Sequence, residues 1–188
     1  EISEHFINWG WNSNNAKISQ LGFLKYPKKI YTFNRNNPIF IPVSGLPRYS
    51  ITMQSIPQGP QVQNGIDDLL LFMDSLSKDI RSKITIRTRQ DQRGWFWENR
   101  IRNKFSNIKF DNTTDYIEQL ISCSLCVCTY NQTVMLESMF FNIPTIIFYN
   151  KKHWEVSENA KKDFQSLLDA EILFHDPLKA SKKINLIN

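Results

Sequence analysis

S-L-C-V-C-T-Y-N-Q-T-V-M-L-E-S-M-F-F-N-I-P-T-I-I-F-Y, residues 124–149, is the stretch from which the architecture can be read. Leu125 to Thr129 is a short apolar run of small and branched residues, the pattern of a buried strand. Tyr130 and Asn131 break it. Asn131 is read as a helix N-cap, because its side-chain oxygen can accept from a free amide two or three residues on. A helix is predicted over about 132–141. Ile143-Pro144 stops it, since the residue before a proline disfavours the helical basin. Thr145 to Tyr149 is a second buried strand. A strand–helix–strand unit of this kind closes right-handed with its strands parallel.

The chemistry lies in the turn and the first helical turns. A helix that starts at the carboxyl end of a parallel strand points free amides and a partial positive charge outward, which suits an anion and phosphate above all. Thr133 and Glu137 are four apart and share a face, while Met135, Leu136, Met139 and Phe140 are predicted to pack on the sheet. Glu137 lies about 6 Å along the axis from Thr133 at ~1.5 Å per residue. That offset resembles the span from a nucleotide's phosphate to its ribose. The competing reading is that Asn131 and Thr133 merely cap the helix and Glu137 is a solvated charge. The functional reading requires Glu137 to be open to the crevice and the turn to lie among the other strand ends.

A chain of 188 residues supports one sizeable core. Its 41% hydrophobic and 22% charged content are those of a soluble globular domain, and 13 phenylalanines predict an aromatic core. No apolar run approaches the length of a membrane span, so no membrane-crossing helix is expected, and no stretch of these residues reads as a signal peptide. The net charge of +5 suits nucleotides, anionic lipid surfaces or nucleic acid. No nucleic-acid motif accompanies it, so nucleic acid is not expected as a partner. Cys123, Cys126 and Cys128 make an odd count without a secretion signal, which argues for a reducing compartment. They lack a fourth ligand and a histidine cluster, so they read as buried hydrophobes and no metal is expected.

Residues 1–36 read as a polar, irregular lead-in with an aromatic cluster around Trp9, Gly10 and Trp11, either packing on its own domain or lining an interdomain cleft. His5 is the one proton-transfer candidate there. Residues 37–188 read as a doubly wound, mostly parallel α/β domain, because strands and helices alternate. Strands are predicted at 38–43, 83–87, 107–110, 125–129, 145–149 and 171–174. Helices are predicted at 66–80, 95–105, 113–122, 132–141, 157–168 and 177–184. Residues 49–65 are read as an ordered loop, with Asn64 capping the helix that follows. Ser44 and Gly45 after the first strand let backbone approach a ligand closely, although no G-x-G-x-x-G is present. The strand at 83–87 delivers Arg87, Arg89 and Arg93 toward its carboxyl end. Arg87 is the favoured phosphate ligand, and Arg89 and Arg93 are read individually as exposed loop cations.

Four stretches carry a resemblance. They are N-W-G-W at 8–11, I-R-T-R-Q-D-Q-R-G-W at 86–95, the strand–turn–helix S-L-C-V-C-T-Y-N-Q-T-V-M-L-E, and N-I-P-T-I-I-F at 142–148. Together they resemble the C-terminal, donor-binding half of a two-domain GT-B glycosyltransferase. More narrowly, they are similar to the transferases of bacterial surface-carbohydrate (lipopolysaccharide and O-antigen) gene clusters, distant relatives of the CDP-glycerol glycerophosphotransferases. The resemblance implies a Rossmann-like fold, a nucleotide-activated donor and no bound metal. It implies that Thr133 with the amides of Asn131 and Gln132 faces phosphate, that Glu137 faces ribose, that Arg87 contacts phosphate, and that Ser44 and Gly45 form the first loop's wall. Thr88-Arg89 replaces the glycerophosphotransferases' histidine–proline pair, and Thr129, Tyr130 and Asn131 replace their aspartate and serines. A sugar nucleotide is therefore preferred to CDP-glycerol.

The implied reaction is attack of an acceptor hydroxyl on an anomeric carbon, with a glycan or lipid-linked acceptor at the inner, cytoplasmic face of a membrane. The chain opens on Glu1 inside what reads as folded sequence, so an N-terminal acceptor domain carrying the catalytic base is expected to be missing. The piece alone is then expected to bind donor with little turnover. Two alternatives remain. One is a non-hydrolysing sugar-nucleotide epimerase, for which His153 and Glu155 are the candidate groups. The other is a non-catalytic nucleotide-binding module.

Overall fold

The computed structural model describes residues 4–8, 10, 14–22, 30–49 and 56–187. The chain forms two compact units, Glu1–Ile30 and Tyr31–Asn188. In the first, β1 (Phe6–Asn8) and β2 (Ile18–Gln20) pair in parallel, where an irregular lead-in is expected from the sequence. Trp9 and Trp11 lie outside the described residues.

Among its described residues the second unit holds six strands: β3 (Ile39–Pro42), β4 (Ile84–Arg87), β5 (Lys109–Phe110), β6 (Leu125–Cys128), β7 (Thr145–Phe148) and β8 (Leu173–Phe174). Their order across the sheet is β5-β4-β3-β6-β7-β8, and every pairing is parallel. The fold is the doubly wound α/β architecture expected from the alternation of elements. The central strands β3 and β6 are buried at every residue. That is why they read as continuous apolar runs without alternation.

The helices are α1 (Pro60–Asp74), α2 (Lys78–Ser82), α3 (Trp97–Lys104), α4 (Tyr116–Ile121), α5 (Thr133–Phe140), α6 (Lys161–Asp169) and α7 (Pro177–Ile187). Helix α1 begins six residues before the predicted start. Pro60 occupies its first turn, where a missing N–H costs nothing, and Gly59 supplies the left-handed φ of 51° before it. The predicted single helix over 66–80 is broken at Ser75. Ser77 caps α2 by accepting from the Ile80 amide at 3.3 Å. Asn185 of α7 clips the break, donating to Ser75 O at 2.9 Å and accepting from Ser77 N at 3.0 Å.

The core lies between sheet and helices. Phe72 of α1 stacks on Phe148 of β7 with ring centroids 4.6 Å apart. Phe40, Phe72, Ile41, Ile86 and Ile101 are fully enclosed, each contributing about 1.5–3 kcal/mol by leaving water. Helix α5 ends in a Schellman motif: Ile143 N bonds Ser138 O at 2.9 Å and Asn142 N bonds Met139 O at 3.0 Å. Asn142 takes the left-handed φ of 56°, so it and Pro144 together stop the helix. The consequence for function is positional. Strand order reverses between β3 and β6, and crossovers of one hand then leave a crevice outside their carboxyl ends.

Candidate functional site

The two strands that flank the reversal each send one residue into a common cavity of about 30 Å³. Ser44 follows β3 and Thr129 follows β6. Asp68 of α1, Tyr149, His153 and Trp97 help to close it. Burial holds the Asp68 carboxyl above the usual carboxylate range; His153 opposes the shift, and Asp67 and Asp176 add to it. Burial likewise pushes the Tyr149 hydroxyl up to about 12, partly offset by a hydrogen bond with Asn131. Asp68 is the lining group that the sequence reading missed. The apolar spacing of α1 marks a core face, and nothing in it signals that Asp68 meets the loop after β7.

The turn after β6 sits where it is expected, in the middle of the carboxyl edge, but its details differ. Asn131 is not the cap. Its Nδ2 donates to Glu155 O at 3.1 Å, tying the turn to the loop after β7. Gln132 occupies the cap position, and no side chain accepts from the first amides of α5. Met135 N bonds Gln132 O at 3.1 Å, while the amides of Thr133 and Val134 before it have no acceptor within the helix, and Gln132 and Thr133 are exposed beside them.

Glu137 is the main correction. It is 0% exposed. The buried face of α5 consists of Met135, Glu137 and Ser138, while Phe140, expected on the sheet, is 47% exposed. Tyr116 of α4 donates its hydroxyl to Glu137 Oε2. That hydroxyl is held well above its ordinary pKa, first by burial and then by the Glu137 carboxylate. Four residues after an exposed Thr133, the helix has already run down between α4 and the sheet. The 3.6-residue period places both residues on one side but says nothing of what packs there. The ribose contact is therefore withdrawn, and with it the reading of the turn and Glu137 as one nucleotide-binding motif, which required an open Glu137.

Arg87 ends β4 and is part of the same polar network. Its Nη1 meets the enclosed Asp111 carboxylate at 2.5 Å and donates to Thr113 O at 2.9 Å. Its guanidinium lies 5.8 Å from the Tyr116 ring centre. Nε and Nη2 make no hydrogen bond among the described residues, and the side chain is 22% exposed. One edge of the fork is thus anchored and the other is available.

Arg89 is an exposed loop cation, as read, and its stem also crosses the first loop. A Cβ built at Gly45 would fall 1.8 Å from Arg89 Cδ, so Gly45 is required by the arginine stem that crosses it. His5 is in the first unit, exposed, with Nε2 2.7 Å from Ser19 Oγ. Glu155 is exposed and serves here through its carbonyl. Cys123, Cys126 and Cys128 are all buried free thiols. Among the described residues no three His, Cys, Asp or Glu side chains converge to hold a metal ion, and no helix is long and apolar enough to cross a membrane.

The site therefore offers an uncapped helix start, a half-anchored arginine and a small, mostly apolar cavity with a few polar groups at the strand-order reversal. Such a set can bind an anion and stabilise charge that develops on a leaving phosphate. No curated protein and no solved structure gives a significant match to the chain. One family profile does, over residues 1–188, and by that match the chain belongs to the LIC12162 family transferases.

Proposed function

We propose that this chain binds the nucleotide-activated sugar donor of a GT-B-type glycosyltransferase that builds a bacterial surface glycan. The observation that carries the reading is the juxtaposition at the strand-order reversal: Ser44 and Thr129 line one cavity, beside a helix whose first amides have no side-chain cap. The donor's phosphates take the α5 amides with Thr133, and the available edge of Arg87. In the reaction the acceptor oxygen bonds to the anomeric carbon. The bond from that carbon to the phosphate oxygen breaks, and the nucleoside phosphate leaves with its electron pair. The positive helix end and Arg87 stabilise the charge that grows on it. The buried Glu137 fails the condition that the sequence reading set, so the proposal no longer stands on that motif: it rests on the family match and on the phosphate-side geometry, with no ribose ligand assigned. No acceptor base is assigned within the chain, and turnover by the 188 residues alone is expected to be slow.

The test is a thermal-shift panel of UDP-, CMP-, CDP-, GDP- and dTDP-linked sugars, since a ligand of the native state raises apparent stability by mass action. A shift that Arg87→Gln and Thr133→Ala abolish is expected. No shift with any nucleotide at millimolar concentration refutes the proposal and leaves a non-catalytic module. A sugar-nucleotide epimerase is the second reading, favoured by Asp68 and His153 lining one cavity. Incubating the bound donor without acceptor separates the two. The transferase leaves it unchanged, and appearance of an epimer decides for the alternative.

A further inference from the structure

The loop after β4 carries a second arrangement that the donor reading does not use. Asp91 places one carboxylate oxygen on each of two arginines, Oδ1 at 3.4 Å from Arg89 Nε and Oδ2 at 3.3 Å from Arg93 Nε. Both separations exceed the 2.7–2.9 Å of a well-made charge-assisted bond. The carboxylate is 56% exposed, and the arginine side chains are 53% and 36% exposed. The occupant is therefore loose and open to exchange with solvent.

The stem of Arg89 and the backbone of Arg93 are each held by their surroundings. The Arg89 stem is laid across Gly45, where only a glycine leaves room for it. Arg93 takes a left-handed conformation, φ 47° and ψ 32°, which is uncommon for a residue with a Cβ. Its carbonyl accepts from Arg48 N at 3.0 Å, and Arg48 Nη1 reaches Gly94 O at 3.3 Å. Arg48 also lies 5.7 Å from the Trp95 ring centre. The loop after β3 and the loop after β4 are thus joined, and Arg89 and Arg93 flank a single carboxylate, an excess of one positive charge. Once the carboxylate swings away, two guanidinium groups face the seat, and a phosphoryl dianion matches their charge. Planar guanidinium forks suit phosphoryl oxygens.

We propose that Arg89 and Arg93 form a phosphoryl clamp at the lip of the crevice, with the chain's own Asp91 carboxylate filling the seat until a phosphorylated substrate displaces it. The clamp goes beyond the donor reading, because it needs neither a nucleotide nor Arg87. Asp91 acts in it as an internal competitor, so removing its charge strengthens binding instead of weakening it.

The experiment is calorimetric titration of the full 188-residue chain with inorganic pyrophosphate at low salt. Asp91→Asn is expected to tighten binding about three- to tenfold, as two loose surface ion pairs cease to compete. Arg89→Gln and Arg93→Gln each weaken it about fivefold or more and cancel the gain when combined with Asp91→Asn. Asp169→Asn, the same charge change on α6, leaves the affinity alone. Binding that appears only in Asp91→Asn also supports the clamp. Unchanged or weaker binding in Asp91→Asn overturns it, as does an equal gain in Asp169→Asn or the absence of binding in every form. Nucleotide sugars that fail to bind while this pattern holds refute the proposed function alone. Nucleotide binding with no effect of Asp91 refutes the clamp alone.

Discussion

Replacing Tyr116 by phenylalanine removes one hydroxyl from the α4–α5 junction and tests what Glu137 is for. Tyr116 donates to a carboxylate that is 0% exposed, and a hydrogen bond to a charged group contributes about 1.5–3 kcal/mol. The ring itself stays, with the Arg87 guanidinium 5.8 Å from its centre, so packing loss is small. The expected cost is about 2 kcal/mol. For a chain of this size that lowers the melting temperature by about 4–8 °C. Differential scanning calorimetry measures it, with urea unfolding as a check. In a Glu137→Gln background the same change is expected to cost about 1 kcal/mol, because the acceptor is then neutral. A shift under about 1 °C, or an equal shift in both backgrounds, refutes the assignment of Glu137 as an anchor between helices. Nucleotide affinity gives a second readout. An anchoring role predicts a change of less than about twofold in Tyr116→Phe. A tenfold gain instead would mean that the tyrosine covers a ligand carboxylate, and would restore Glu137 to the binding site.

Three further expectations follow from the geometry. Arg87→Gln leaves the enclosed Asp111 carboxylate without its cation, at a cost of about 2–3 kcal/mol by urea unfolding, and weakens the best nucleotide sugar about tenfold or more. Gly45→Ala meets the flexible Arg89 stem, not backbone, so the melting temperature should fall by less than about 3 °C while pyrophosphate affinity drops. Asp68→Asn should raise the melting temperature by about 2 °C at pH 7, less than full burial would give because the group is only partly buried. The sign follows from a carboxyl whose folded pKa is raised: its contribution is whole below the unfolded value near ~3.9 and is lost as pH rises through the folded one. The asparagine imitates the neutral form, so the gain should disappear in acid when melting is followed across pH.

The architecture was legible because the central strands announce themselves. Leu125–Cys128 and Thr145–Phe148 are apolar without alternation, and only a strand covered on both faces needs that. Pro144 marked the end of α5 as well. The start of α1 was misread because Pro60 and Gly65 suggest a loop by composition, whereas a proline in the first helical turn is a start signal. At the site, the strand-end placement of Ser44, Arg87 and Thr129 was readable from chain order. What surrounds each side chain was not. The sequence reading put Glu137 on a ligand face, yet the neighbour that encloses it, Tyr116, is 21 residues away on another helix. Asn131 likewise has a local capping role available, and a carbonyl 24 residues on takes its amide instead. Arg89 is exposed, as its loop position suggests, but its contact with Gly45 was not readable, since it joins two loops that only the β3–β4 pairing brings together.

Amide hydrogen exchange of the chain, with and without the nucleotide sugar that shifts its melting most, tests the crevice directly. Slowing of at least about tenfold at the amides of Thr133 and Val134, together with residues 44–46, is the predicted result, because the uncapped start of α5 gains an acceptor there. Protection confined to the groove at Lys78, Arg81 and Lys104 on α2 and α3, with the start of α5 unchanged, would contradict it.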